Sequence, residues 1–316
     1  MSETDSPENE ATPPMPQAGA TPPVRMVLLA QAGLFILCSG IGVMLYQIIC
    51  AFAGWEALQS IGSGAGTGER WQFRFYMGLG HFFMFLVSGG LTVWFFYKGN
   101  IAGNPSWPDY LKCRRLPGIV QAGLSLLLML AATPLVVYAL KINQQIPLPE
   151  YLSLAEDQMA EVLKGLLRME HSGELLANLF VIALLPALGE ELVFRGVVQQ
   201  QLMRKIRQPI TAIFLSALVF SAAHFQFEGF LPRLLLGLIL GWLYWKTQNF
   251  WIPVLCHFFN NGTQVLGQYL FQKEISSLDL EQDIEAPWPF ALLSLFMSWA
   301  VVRLIQQNTA STGKSS

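Results

Sequence analysis

Eight stretches of the chain are apolar over roughly 20 residues, the length a bilayer asks of a helix. They run at 26–52, 74–97, 118–140, 174–203, 209–226, 230–247, 250–271 and 287–306. Each predicts a transmembrane helix. The first three and the last read as plain lipid-soluble spans. The middle four carry Glu, His, Asn, Gln and Arg at depths where such groups are costly. A ninth segment, 150–169, follows Pro149 and is amphipathic: Leu152, Ala155, Met159, Val162, Leu163 and Leu166 recur at helical spacing. Ser153 and Glu156 have the S-x-x-E spacing of a capping box, so the segment predicts a helix lying on the outer surface or capping the bundle.

Composition agrees with a lipid-facing surface. Hydrophobic residues make up 53% of the chain and charged residues only 13%, against about 25% in soluble domains, and the mean hydropathy is +0.43. The fold class expected is all-α, a polytopic membrane helix bundle. A net charge of −2 without a basic stripe argues against a nucleic-acid partner. Cys38, Cys50, Cys113 and Cys256 have no CxxC spacing and read as small buried hydrophobes.

Residues 1–25 are Pro-rich and acidic, without an apolar face, and read as a disordered tail. They lack the positive start of a signal peptide. The organisation then expected is three transmembrane helices over 26–140, an extracytoplasmic amphipathic helix with its loops over 141–173, and a polar four-helix core over 174–271. An acidic loop and last span follow over 272–308, then a short tail over 309–316.

Orientation follows from Lys and Arg placement. Lys98, Lys112, Arg114 and Arg115 in one loop, and Arg204, Lys205 and Arg207 in a short turn, fall on one side if eight spans alternate. That side is assigned to the cytoplasm, which puts both termini there and the acidic 272–286 loop outside. The membrane expected is the plasma (inner) membrane.

The chemistry is concentrated in the middle spans. Within LLPALGEELVFRGVVQQQL, Glu191 and Arg195 are i and i+4, acid before base, the favourable order for a helical ion pair. Glu190 lies about 100° round the helix and is left without a partner, a carboxylate available as a base. FSAAHF puts Phe220 and His224 on one face, and HFFNNG puts His257 and Asn261 on another. A lone helical histidine is more often a satisfied core residue, and His81 in the second span takes that reading. Two histidines with a carboxylate and an amide on neighbouring spans point instead to a site built in the bundle core.

Other protease chemistries lack their residues. Asp5, Asp109, Asp157, Asp279 and Asp283 all lie outside the predicted spans, so an intramembrane aspartyl pair is missing. Neither GxSxG nor HExxH occurs. Ser221 stands near His224, but a buried helical serine usually bonds backbone. Cys256 and His257 are adjacent and diverge by about 100°.

Glu190-Glu191-x-x-x-Arg195, Phe220-x-x-x-His224 and His257-x-x-x-Asn261, with the flanking GEELVFRG, resemble the three ordered motifs of the CPBP (CAAX protease and bacteriocin-processing, or Abi) intramembrane proteases. The resemblance covers about 175–270. It implies an eight-helix bundle and proteolysis of a membrane-associated protein or peptide near its end. Carried over, Glu190 would activate water with help from His224, and His257 with Asn261 would stabilise the oxyanion. Glu190, His224 and His257 could alternatively bind one divalent metal, such as zinc, and spacing alone leaves the cofactor question open. Two other classes compete: a catalytically idle relative acting as a membrane scaffold or immunity factor, which would be expected to lose motif residues, and a transporter, which should show internal repeats.

Overall fold

The computed structural model describes residues 21–58, 60–99, 105–277 and 286–312, with side chains through Thr309. Ten helices are found there, and no strand: α1 Val24–Ala53, α2 Thr67–Tyr97, α3 Trp107–Leu111, α4 Ile119–Asn143, α5 Glu150–Leu167, α6 Ser172–Ile206, α7 Pro209–Ala222, α8 Phe230–Thr247, α9 Trp251–Gln272 and α10 Trp288–Thr312. Local chemistry sets the boundaries. Gly54 ends α1 in the left-handed region at φ +68°, its N–H bonded to Cys50 O. The Glu69 carboxylate accepts from Gly66 N–H at 2.7 Å to start α2. Arg207, at φ +58°, closes α6, and Pro209 restarts the chain at the first position of α7.

Among the described residues, five helices are long and apolar enough to cross a membrane: α1, α2, α4, α6 and α10. Their outward faces carry exposed Leu29, Ile36, Phe52, Ile119 and Phe296, an apolar area far beyond what water tolerates on a monomer. The expected span at 209–226 is shorter than anticipated. α7 stops at Ala222 after 14 residues, a rise of about 21 Å against a hydrocarbon layer of about 30 Å.

Three further expectations shift. The second span begins earlier, at Thr67, because Arg70 and Arg74 are buried by partners on α6. The capping box at Ser153 does not form, since α5 starts at Glu150 and Ser153 lies inside it. Residues 309–312 continue α10 instead of leaving it as a tail. Most of the expected N-terminal tail and of the acidic loop, with Asp279, Glu281, Asp283 and Glu285, lies outside the described residues.

α4, α8, α9 and α10 share a core of Leu128, Met129, Leu240, Leu243, Ile252, Cys256, Val301 and Ile305. α1 lies along α2, and α2 lies parallel to α6 at close range. A Cβ on Gly189 would come within 2.7 Å of Phe85 Cβ, and one on Gly89 within 3.0 Å of Leu192 Cγ. At one end, a buried ion cluster locks the same two helices. Glu174 Oε1 accepts from Arg70 Nε at 2.9 Å and from Arg74 Nη1 at 2.8 Å, and Arg74 Nε donates to Asn178 Oδ1 at 2.6 Å.

Both long inner helices contain wide turns, with hydrogen bonds spanning five residues. These occur at Phe82–Val87 in α2, and at Leu179–Leu184 and Leu192–Gln199 in α6. Such turns cluster at functional sites. Here they bracket the regular stretch Leu185–Glu191 that carries the two glutamates.

Candidate active site

Glu190 and Glu191 are both buried, the second fully. Being about 100° apart on α6, they serve different neighbours. Glu191 Oε1 accepts from Arg195 Nη1 at 2.8 Å, the pair expected from the spacing. The same oxygen also meets His257 Nδ1 of α9 at 2.8 Å. Arg195 is completed by Gly237 O at 3.1 Å and by the face of Phe220, 4.7 Å from the ring centre. Arg195 thus has partners on α6, α7 and α8.

Glu190 faces three histidines. His224 Nε2 stands 3.9 Å from its Oε2 and His257 Nε2 4.0 Å from the same atom. His81 Nε2, on α2, stands 3.4 Å from Oε1. The expectation that Glu190 lacks a partner is therefore corrected: His81, a half-buried histidine satisfied by the same contact, is its partner. Gly189 explains the meeting, because only a residue without Cβ lets Phe85, one turn beyond His81, press so close to α6.

His224 is not within a helix. It follows the end of α7, and its Nδ1 meets Phe220 O, four residues back, at 2.8 Å. A carbonyl only accepts, so Nδ1 carries the hydrogen, the ring caps the helix end, and Nε2 is left turned to Glu190. The turn that follows is held from three sides. Arg233 on α8 bonds Gln226 through both its side chain and its carbonyl. Asn143, at the end of α4, donates to Phe227 O at 2.6 Å and accepts from Leu231 N–H at 2.6 Å. Glu156 of α5 accepts from the N–H groups of Phe227 and Glu228. Glu156 thus anchors a turn on a different helix pair instead of capping its own.

Among the described residues, Asn261 makes no hydrogen bond to the carboxylate cluster. Its Nδ2 donates to Ile182 O at 3.1 Å, and its Oδ1 accepts from Asn260 Nδ2 at 3.1 Å. Ser221 donates to a backbone carbonyl, but to Phe230 O of α8 at 2.7 Å instead of its own helix.

As placed, the donor set is not drawn in to a tetrahedral metal. Ligands at about 2.0–2.2 Å from such an ion lie about 3.4 Å apart, closer than the 3.9 and 4.0 Å from Glu190 Oε2 to His224 and His257. Among the described residues, no group of three or more His, Cys, Asp or Glu is disposed to hold a metal ion.

The two surprises, His81 and the ion cluster at Glu174, had faint signals in the sequence. His81 and Arg74 are polar positions inside the apolar stretch 74–97, with Arg70 one turn before it, and lipid makes such groups costly. The partners could not be read, because they come from α6, about 100 residues away.

Comparison with known families adds a further observation. The model described as type II CAAX prenyl endopeptidase Rce1-like matches residues 172–263, which run from the start of α6 into α9 and contain Glu190, Glu191, Arg195, His224, His257 and Asn261. No curated protein and no solved structure matches the chain. Set among five helices long and apolar enough to span a bilayer, residues 172–263 are a domain of the Rce1-like type II CAAX prenyl endopeptidase family, a peptidase family, carried by a multi-pass integral membrane protein.

Proposed function

We propose that the chain is an intramembrane endopeptidase that hydrolyses a peptide bond of a membrane-associated protein or peptide. One observation carries the reading: two histidine Nε2 atoms, each on a ring tied down through Nδ1, converge on one oxygen of Glu190. Gaps of 3.9 and 4.0 Å are too wide for direct hydrogen bonds and suit a shared water.

That water, lying between Glu190 Oε2 and His224 Nε2, gives its proton to Glu190 as its oxygen attacks the substrate carbonyl carbon. The carbonyl π electrons move to oxygen. His257, as an imidazolium backed by Glu191, donates from Nε2 to that oxyanion, and the second hydrogen on Asn261 Nδ2 is the other donor. Collapse restores the carbonyl, breaks the C–N bond, and returns the proton from Glu190 to the departing nitrogen. Donors of this kind are worth about 100- to 1000-fold each in a water-poor site. No step passes through a metal.

The topology proposed is eight passages with both termini on the cytoplasmic side of the plasma (inner) membrane. In support, the basic segments gather at one end: Arg204 bonds Tyr97 and Pro22 O, and Tyr97 stacks on Tyr110. Arg168, Glu170 and Lys273 gather at the other end. The short α7 and its return α8 leave that parity unchanged, whether or not the hairpin crosses fully.

The decisive variant is Glu190→Gln, which keeps the shape and removes the base. In reconstituted full-length protein it should lower peptide hydrolysis by at least about 100-fold without changing membrane insertion. Wild-type turnover in this variant would remove Glu190 from the role.

A further inference from the structure

We infer that His81, on α2 and outside the matched family domain, is a positioning residue that holds Glu190 by one oxygen so that the other is free for chemistry. The inference rests on the reading of Glu190 as the base.

The two oxygens of Glu190 have different surroundings. Oε1 meets His81 Nε2 at 3.4 Å, the one hydrogen bond to this carboxylate among the described residues. Oε2 faces His224 and His257 across the wider gaps. Without His81 the buried Oε1 would keep no hydrogen-bond donor among the described residues, which is costly, and the carboxylate would be free to rotate about its last torsion, which is broad. A base that rotates presents its lone pairs to the water only part of the time. The 3.4 Å separation is long for an N–H···O bond, as catalytic hydrogen bonds often are before substrate tightens them.

α2 is built to bring His81 to this place. Arg70 and Arg74 pin its start to Glu174 and Asn178. Gly189 admits Phe85 to van der Waals contact with α6. The His81 ring stacks on Phe85 at 5.2 Å between centres and 29° between planes, and the wide turn begins at the next residue, Phe82. Ring orientation is thereby fixed by packing, as a residue acting through another requires. His81 keeps 22% of its side chain exposed and Glu190 only 6%, so the histidine stands at the edge of the carboxylate's pocket while the carboxylate lies inside it.

The test compares His81→Gln, whose Nε2 can occupy the place of the imidazole donor, with His81→Leu, which fills space and donates nothing. Full-length protein is reconstituted in phosphatidylcholine–phosphatidylglycerol vesicles, and a mixture of internally quenched peptides reports kcat and KM. His81→Leu should lower kcat on the order of 10- to 100-fold, as loss of an orienting partner does elsewhere, with KM within about twofold, and His81→Gln should recover most of kcat. An infrared carboxylate band, assigned to Glu190 by its loss in Glu190→Gln, should shift in His81→Leu and return in His81→Gln. Equal kcat in His81→Leu and wild type, or equal damage in the two His81 variants, overturns the inference. If the wild-type protein cleaves none of the peptides, the infrared band decides alone: an unshifted band in His81→Leu overturns the inference. Activity surviving in Glu190→Gln would strike the base assignment instead, while the band shift would still report the His81 contact.

Discussion

His257 and Arg195 share a single oxygen of Glu191, each at 2.8 Å, and neither residue is exposed. The carboxylate therefore holds a proton on His257 Nδ1 as well as pairing with arginine, and the orientation of the Nε2 that faces Glu190 is set by a residue that does not touch it.

Glu191→Gln should accordingly harm both stability and turnover. Its amide keeps an oxygen for both donors but loses the negative charge that Arg195 and His257 share, and breaking a buried ion pair costs about 3–5 kcal/mol. Thermal unfolding in detergent should fall markedly, and hydrolysis on the order of 10- to 100-fold. A variant with unchanged melting and turnover would show that the shared oxygen is dispensable.

Gly189→Ala should separate α2 from α6. The added Cβ would come within 2.7 Å of Phe85 Cβ, and neither atom can rotate away. Overpacking of this kind costs about 1–3 kcal/mol. The larger effect expected is on kcat, because the His81–Glu190 contact lengthens. The double variant Gly189→Ala/His81→Leu should then be little worse than either single variant, as coupled neighbours are; full additivity of the two losses in kcat would show that they act separately.

Exhaustive chelation should leave hydrolysis intact. The ligand spacings at Glu190 exceed those of a tetrahedral ion, so strong chelators should change neither rate nor melting, and metal analysis should find well under one zinc per chain. Activity lost to chelation and restored by zinc would reverse that reading and call for a rearranged Glu190–His224–His257 centre.

Topology can be checked with one engineered thiol. Ser277→Cys, in a Cys113→Ser background, should react with an impermeant maleimide added from outside intact cells, since Ser277 follows α9 at the end opposite the basic segments. Labelling only after the membrane is breached would invert the proposed orientation.

Much of this molecule was legible in the pattern of apolar runs. All eight apolar stretches correspond to helices, five of them long and apolar enough to cross a membrane, and the Glu191–Arg195 pair follows directly from i,i+4 geometry. The convergence of His224 and His257 on Glu190 was expected only as a meeting of spans, and the atoms involved were not foreseeable. Two kinds of feature escaped. Wide turns leave no periodic signature, since one extra residue per turn is hidden in an already apolar run. Pairings between distant helices, such as His81 with Glu190 and Arg74 with Glu174, depend on which faces pack together, and a single sequence does not say. Asn261 shows the opposite case: the spacing puts it on the face of His257, but its amide is drawn to the carbonyl that the wide turn of α6 leaves open at Ile182.

The turn that follows His224 has a consequence for solvent exchange. Amide protons of Phe227, Glu228 and Leu231 are held by side-chain oxygens of Glu156 and Asn143, and not by a helix ladder. α5, which supplies Glu156, buries only its last turn, at Gly165, Leu166 and Leu167, and leaves Tyr151, Leu154 and Met159 uncovered. A segment with so little buried surface detaches at small cost. Each excursion of α5 would expose the Phe227 and Glu228 amides to deuterium and at the same moment loosen the turn that follows His224. The exchange rate of those two protons is thus a clock for how often the histidine side of the cluster opens, readable without a substrate.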